Sequence, residues 1–298
     1  GGGIAPHGTH CAALVDPRSP SRGEHKGYCM IPALSSMRRI VIKIGSSTIA
    51  DIDHASVRTA WLEAFAEDIA ALRAKGCEVV LVSSGAVALG RPILKLGRKA
   101  LELPEKQAAA ACGQIMLMAA WKHALAAHHI HTAQLLVTLD DSENRKRYLN
   151  VRNTFETLLS HGIIPIVNEN DTVTTAEIRF GDNDRLAARV AAMISADACV
   201  LLSDIDGLYT KNPKLHADAE HIAEILAISP EIEAMGEGPS STTSHGGMTT
   251  KLIAAKIATA AGTNVTERII APSSAATTVK AIGWNIFPST PESAKIGM

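Results

Sequence analysis

From residue 38 onward, short apolar runs alternate with longer stretches of helical spacing. "RRIVIKIG" (38–45) reads as a buried strand ending in glycine. "SVRTAWLEAFAEDIAALRAKG" (56–76) carries apolar residues at helical intervals and stops at Lys-Gly. "CEVVLVSSGAVALG" (77–90) predicts a strand, a Ser-Gly turn and a helix start. A long helix over 103–129 and a strand over 132–138 follow. "DSENRKRYLNVRNTFETLLSHG" (141–162) predicts a helix with Asp and Ser at its start and Gly at its end. "IIPIVN" (163–168) and "ACVLLSD" (198–204) predict strands, while 182–196 and 246–262 predict helices. Strands of four to seven apolar residues alternating with helices imply an α/β sandwich. Its sheet is mainly parallel and covered on both faces. Nothing repeats at a period of 20 to 50 residues.

In such sheets, ligands sit beyond the carboxyl ends of the strands. Four polar clusters fall there: "KIGSS" (43–47), "SSGA" (83–86), "NENDT" (168–172) and "SDIDG" (203–207). Each alone is ordinary turn chemistry. Four at one sheet edge point to a site. "KIGSS" puts Lys43 at a strand end, before a glycine and two serines, without forming a Walker A loop or a G-x-G-x-x-G. A buried strand-end lysine needs a partner or a ligand. "HGGMTTK" (245–251) is a second glycine turn opening a helix, with Lys251 in its first turns. Tyr209, in "SDIDGLYTKNP", is either packed beneath a turn or a shelf for a purine ring. Two glycine–lysine anion sites and two Asn/Asp clusters fit a small-molecule kinase, in which phosphoryl transfer relies on positioning and charge neutralisation.

Composition narrows the field further. The 298 residues carry a net charge of −1 and only 3% aromatics, so neither a basic face nor a stacking platform for nucleic acid is expected. No apolar run reaches the length of a membrane span. Five cysteines without a C-x-x-C pair suit a reduced compartment, and a cytoplasmic location is expected. The twelve histidines show no metal-binding spacing, and "HALAAHHIH" (123–131) reads as a solvated helix end. Residues 1–36, rich in Gly, Pro, Ser and His, read as a disordered tail or leader ahead of a domain spanning 37–298.

The segments "VIKIGSSTI", "VSSGAVALG", "AACGQ", "RYLNVRNT", "GIIPIVNENDTV", "EIRFGDNDRLAA", "LLSDIDGLYTKNP" and "GGMTTKLIAAKIATAAG" follow one another in this order. Together they resemble the glutamate 5-kinases of the amino acid kinase family, over roughly residues 38–263. "NENDTV" followed by "GDNDRL" sets that branch apart from the kinases for aspartate, acetylglutamate and UMP. The resemblance implies an αβα sandwich and transfer of the ATP γ-phosphoryl group to the side-chain carboxylate of L-glutamate, the first step of proline synthesis. Mg²⁺ is implied as cofactor, with no protein ligand assigned to it. Lys43 and Lys251 match the lysines at the phosphoryl group, and Asp184 the aspartate that orients them. Glutamate is implied at Ser84, Gly85, Asn168, Asp171, Asp182 and Asn183. Asp171 suits the α-ammonium, the two asparagines can donate to carboxylate oxygens, and Asp182 is either part of the clamp or only an N-cap. The nucleotide is implied at Lys43, Gly45, Ser46, Ser203, Asp204, Tyr209 and His245, Gly246, Gly247, Met248, Thr249, Thr250 and Lys251. Feedback inhibition by proline and a homo-oligomer are family expectations.

Departures from the pattern leave a second reading, a catalytically impaired homologue that senses nucleotide or amino acid. Ser244 and His245 replace Gly and a small Thr in the nucleotide turn. After about residue 263 the resemblance fades, the family's closing strand is not expected, and no PUA domain is expected in these 298 residues. A third reading is an amino acid kinase with a changed acceptor, against which the intact "NENDTV" and "GDND" argue.

Overall fold

A computed structural model describes residues 37–51, 56–97, 99–175, 183–203, 207–213, 215–222, 225, 227–236 and 248–269. The expected tail over residues 1–36 lies outside the described residues. The chain runs β1 (Arg39–Ile44), α1 (Ser46–Ile49), β2 (Ala50–Asp51), β3 (Ser56–Val57), α2 (Thr59–Ala74), β4 (Glu78–Ser83), α3 (Ala86–Gly90) and α4 (Leu103–Ala126). It continues through β5 (Thr132–Val137), α5 (Leu139–Glu143), α6 (Arg145–Ser160), β6 (Ile164–Glu169), α7 (Asn183–Met193) and β7 (Ala198–Ser203). It ends with β8 (Leu208–Tyr209), β9 (His221–Ile222), α8 (Pro230–Met235), α9 (Met248–Ala260) and β10 (Asn264–Ile269).

Six strands form one parallel sheet in the order β10-β7-β1-β4-β6-β5, as the alternation of strands and helices predicts. Alternation along the strands divides the core in two. Ile40, Ile42, Ile44, Val79, Leu81, Ile164 and Ile166 face α2 and α4, where Trp61, Phe65 and Trp121 pack. Val41, Val80, Val82, Val167, Cys199 and Leu201 face α6, α7 and α9. With so few aromatics in the chain, it is telling that three meet on the first face. Trp61 stacks on Phe65 at 5.0 Å between centroids, and Phe65 meets Trp121 edge-on at 6.2 Å. The Trp121 indole N–H donates to the Ser83 Oγ at 2.9 Å, so a buried donor and the buried end of β4 satisfy each other.

Several boundaries differ from the sequence expectation, each for a local reason. The helix expected from residue 56 begins at Thr59, because Ser56–Val57 pairs antiparallel with Ala50–Asp51. The helix expected from 141 is broken at Asn144, which is extended (φ −78°, ψ 116°). The Asn144 side chain accepts from the N–H groups of Lys146 and Arg147, so Asn144 is the N-cap of α6. The preceding Thr138 and Asp141 close a separate capping box on the five-residue α5. After residue 263 the chain adds a further parallel strand, β10, against β7.

The amino end of β1 is pinned from several sides. Asp197, just ahead of β7, accepts from the N–H groups of Arg38 and Arg39, both at 2.8 Å. The Arg39 guanidinium bonds Glu78 at 2.7 Å, both oxygens of Glu156 at 2.7 and 3.0 Å, and the Ile194 carbonyl. These contacts fix the register of β1 between its two neighbours. That register sets where Lys43, four residues on, emerges at the other end.

Helices α3 and α4 touch backbone to backbone. A Cβ on Gly113 would lie 1.8 Å from the Ala86 carbonyl oxygen, and one on Gly90 would lie 1.8 Å from that of Ala109. Gly113→Ala is therefore expected to cost about 1–3 kcal/mol or more in urea unfolding. Gly97→Ala, with no heavy atom within 4 Å of the added carbon, should stay within about 0.5 kcal/mol of the parent.

Candidate active site

The sheet order reverses at β1, whose neighbours are β4 on one side and β7 on the other. Such a switch point opens a crevice at the strands' carboxyl ends. Lys43 is the penultimate residue of β1, opposite Val82 of β4 and Leu201 of β7. Strand alternation turns it toward the face covered by α7 and α9, the side to which Val41 also points. Asp184 lies in the first turn of α7 and Lys251 in the first turns of α9.

These three side chains converge. The Lys43 Nζ stands 2.6 Å from Asp184 Oδ1, and the Lys251 Nζ donates to Asp184 Oδ2 at 3.2 Å. Asp184 is fully buried, and both lysines are under 10% exposed. Burial alone would push the Asp184 carboxyl pKa up. The charges of Lys43 and Lys251 outweigh it and hold the group below the usual carboxylate range. The start of α7 adds a favourable dipole for that carboxylate. A lysine at the start of α9 opposes its helix dipole, so Lys251 is held there by Asp184 rather than by local preference.

A second cluster sits beside the first, built of neutral groups. The Asn183 amide donates to the Ser84 Oγ at 2.6 Å and to the Asn168 Oδ1 at 3.0 Å. Asn168 Oδ1 also accepts from the Glu169 N–H at 2.9 Å. The Asn168 amide donates to Gln114 Oε1 at 2.9 Å. Ser84 and Asn168 come from the ends of β4 and β6, Asn183 opens α7, and Gln114 lies buried on α4. Asn183 and Asp184 are adjacent, so α7 carries one member of each cluster and sets their spacing.

The other expected residues fall as follows. Gly85 has φ 118°, which turns the chain from β4 into α3 and favours glycine. Gly45, by contrast, is extended (φ −72°, ψ 156°), and a Cβ on it would stand 4.0 Å from the Lys43 Nζ. Neither its backbone nor the space beside the lysine demands glycine, since that is an ordinary contact distance. Ser46 is exposed at the start of α1. Asp171 is half-buried in the turn after β6. Ser203 closes β7, level with Ile269. The Tyr209 ring meets that of His221 edge-on at 5.2 Å across the β8–β9 ribbon. Met248, Thr249 and Thr250 form the first turn of α9, and the Thr249 hydroxyl donates to the Gly236 carbonyl at 2.8 Å. Asp182, Asp204, Ser244, His245, Gly246 and Gly247 lie outside the described residues.

The Asn183 amide, expected to donate to a carboxylate ligand, is placed here to donate to Ser84 and Asn168. What Asn183 has left to offer is its carbonyl oxygen. Gln114 was missed as a site residue. It sits in an alanine-rich helical run, and only the "AACGQ" segment of the resemblance touched it. Among the described residues no group of three or more His, Cys, Asp or Glu side chains is placed to hold a metal. The three described cysteines are free, Cys77 and Cys199 buried and Cys112 half-buried. No helix among the described residues is long and apolar enough to cross a membrane.

The parallel sandwich thus brings a lysine from its central strand and a lysine from a late helix onto one aspartate. The amino acid kinase family model matches residues 38–267, and the chain belongs to that family. Its relatives include proteins named glutamate 5-kinase. That of Paramagnetospirillum magneticum is 60% identical over 229 residues, which make up 77% of this chain and 62% of the relative. That of Ruegeria sp. is 58% identical over 230 residues, again 77% and 62%. That of Rhodopseudomonas palustris is 52% identical over 271 residues, 89% of this chain and 71% of the relative. The chain thus spans less than two thirds of the length of the first two.

The stability consequences follow from the shared carboxylate. Asp184→Ala leaves two buried ammoniums facing each other and is expected to cost about 3–5 kcal/mol in urea unfolding. Lys43→Met should cost less, because Asp184 keeps Lys251. A depressed folded pKa means stability present above the unfolded value of about 3.9 and lost as pH falls through the folded value. The stability gap between the parent and Asp184→Asn should therefore narrow as the pH falls below about 4.

Proposed function

We propose that this chain is an ATP-dependent kinase that phosphorylates the side-chain carboxylate of L-glutamate. The product is L-glutamyl 5-phosphate, and the reaction opens proline biosynthesis. The observation that carries this reading is the pair of lysines held on opposite oxygens of Asp184, next to an amide-lined acceptor cluster. The names of the relatives supply the substrate.

The chemistry is demanding in charge rather than in covalent steps. An acceptor carboxylate must approach an anionic phosphoryl group. At about 4 Å and an effective dielectric near 20, each such pair repels by roughly 4 kcal/mol. One ammonium offsets about that much, and the phosphoryl group carries more than one charge. Lys43 and Lys251 answer this from two directions, and Asp184 fixes their separation so that little reorganisation is needed as charge shifts. The N-terminus of α9 adds a dipole favourable to phosphate.

On the acceptor side, Asp171 is assigned to the α-ammonium, together with the Asn183 carbonyl oxygen. The Ser84 hydroxyl hydrogen and the second Asn168 amide hydrogen are assigned to carboxylate oxygens. Asp182, Gly85 and the nucleotide residues Gly45, Ser46, Ser203, Asp204, Tyr209 and His245 to Lys251 complete the assignment. Mg²⁺ prefers phosphate oxygens and water. Asp184 already serves two lysines, so the described residues fit an ion carried in by the triphosphate rather than a resident one. When bound there, it neutralises phosphate charge. Proline inhibition and homo-oligomerisation are taken from the resemblance as parts of the same reading.

The test is a hydroxylamine trap of the acyl phosphate. Hydroxamate should form only with ATP, Mg²⁺ and L-glutamate together, and not with aspartate or acetylglutamate. Folded protein that forms none would support the impaired-sensor reading instead. Lys43→Ala and Lys251→Ala should each lower kcat by about 10²- to 10³-fold with glutamate KM nearly unchanged. Asp171→Ala should raise glutamate KM, and unchanged glutamate dependence would remove Asp171 from the clamp.

A further inference from the structure

We infer that Gln114 is a positioning residue of the acceptor site. It sets which way the amides of Asn168 and Asn183 point, and so which polar groups the site presents to the acceptor. This rests on the glutamate-binding reading of that cluster.

An amide side chain is symmetric in shape but not in chemistry. Turned over, Asn168 would present its NH₂ where its oxygen now stands. Glu169 donates its N–H to Asn168 Oδ1, and Asn183 donates its amide to the same oxygen. Gln114 Oε1 faces the other end of Asn168 and accepts its NH₂ at 2.9 Å. The acceptor oxygen of Gln114 and the Glu169 N–H thus hold Asn168 together, from its two ends, in the orientation that receives Asn183. Asn183, given an oxygen on Asn168, spends its second hydrogen on Ser84 and keeps its carbonyl oxygen to offer. One oxygen on α4 thereby contributes to the polarity of three residues from three other elements. Buried networks of this kind are strongly coupled, since an unmatched donor in a low dielectric is costly.

The fold places Gln114 with care. Its neighbour Gly113 has no Cβ, which lets α4 rest on the Ala86 carbonyl of α3, two residues beyond Ser84. Gln107, two turns earlier on the same face of α4, donates to the Thr174 carbonyl at 3.0 Å, in the turn that follows β6. Thr174 in turn donates its hydroxyl to the Asn170 carbonyl at 2.6 Å. Two glutamines of one helix therefore grip the end of β6 and the turn after it. Gln107 holds only backbone, so it sets the polarity of no side chain there.

The experiment measures glutamate KM, ATP KM and kcat by the hydroxamate assay for Gln114→Met, Gln114→Asn, Asn168→Ala and the double variant Gln114→Met/Asn168→Ala. Melting curves accompany each protein. Gln114→Met keeps the length and removes the oxygen; Gln114→Asn keeps the amide and falls one methylene short. Both should raise glutamate KM by about ten-fold, with ATP KM and kcat within about three-fold. In the Asn168→Ala background, Gln114→Met should add almost nothing, because its effect runs through Asn168. If the Met variant does not fold, the Asn variant decides on the same readouts. Glutamate KM unchanged in the folded Gln114 variants would overturn the proposal. So would a full additional KM rise in the double variant, or equal losses in kcat and both KM values. If the parent protein itself makes no glutamate-dependent hydroxamate, the reading of the site falls and this proposal falls with it. That result is distinct from an active parent with indifferent Gln114 variants.

Discussion

Everything at the site hangs on one carboxylate serving two ammoniums. A buried aspartate is costly to keep ionised, and so is each buried lysine. Asp184, Lys43 and Lys251 make one another tolerable at distances of 2.6 and 3.2 Å. They come from β1, α7 and α9, so the ion triad also fastens two helices to the central strand. On the proposed reading, stability and chemistry therefore draw on the same three side chains. The aspartate cannot be exchanged for packing without giving up the geometry of both lysines.

Much of this was legible in the sequence. The apolar runs gave the strands of the main sheet, except for the last, and a covered parallel sheet places its strand-end residues together. Lys43 stood out as a charge at the end of such a run, and the Asn/Asp clusters stood out at the mouths of β6 and α7. What periodicity could not supply was the pairing across elements. That Asp184 pairs with two lysines depends on which face of β1 is turned to α7 and on how α9 docks. Gln114 was hidden for a similar reason. On an alanine-rich helix a glutamine reads as a solvated position, and only the close seam at Gly113 makes it a buried one.

The local errors are equally physical. Asp141 and Ser142 looked like the cap of a long helix, but Asn144 competes better because its side chain reaches two backbone donors. The polar alternation of "NVTER" made it a poor strand by hydrophobicity. It forms an outer strand all the same, because β7 offers it a full ladder of partners from Asn264 to Ile269.

The sheet order has a consequence for how the chain is made. β1 is central, yet its two neighbours lie far apart in sequence, at residues 78–83 and 198–203. A chain emerging from the ribosome presents "RIVIKI" early and can cover one side of it once β4 has arrived. The other side waits more than a hundred residues for β7. Until then a long apolar strand keeps an open row of backbone donors and acceptors, the kind of edge that seeks partners in other chains. The same wait leaves Lys43 without its aspartate. The strand that carries Lys43 is thus also left open during synthesis, and the burden of protecting it falls on whatever shields nascent chains.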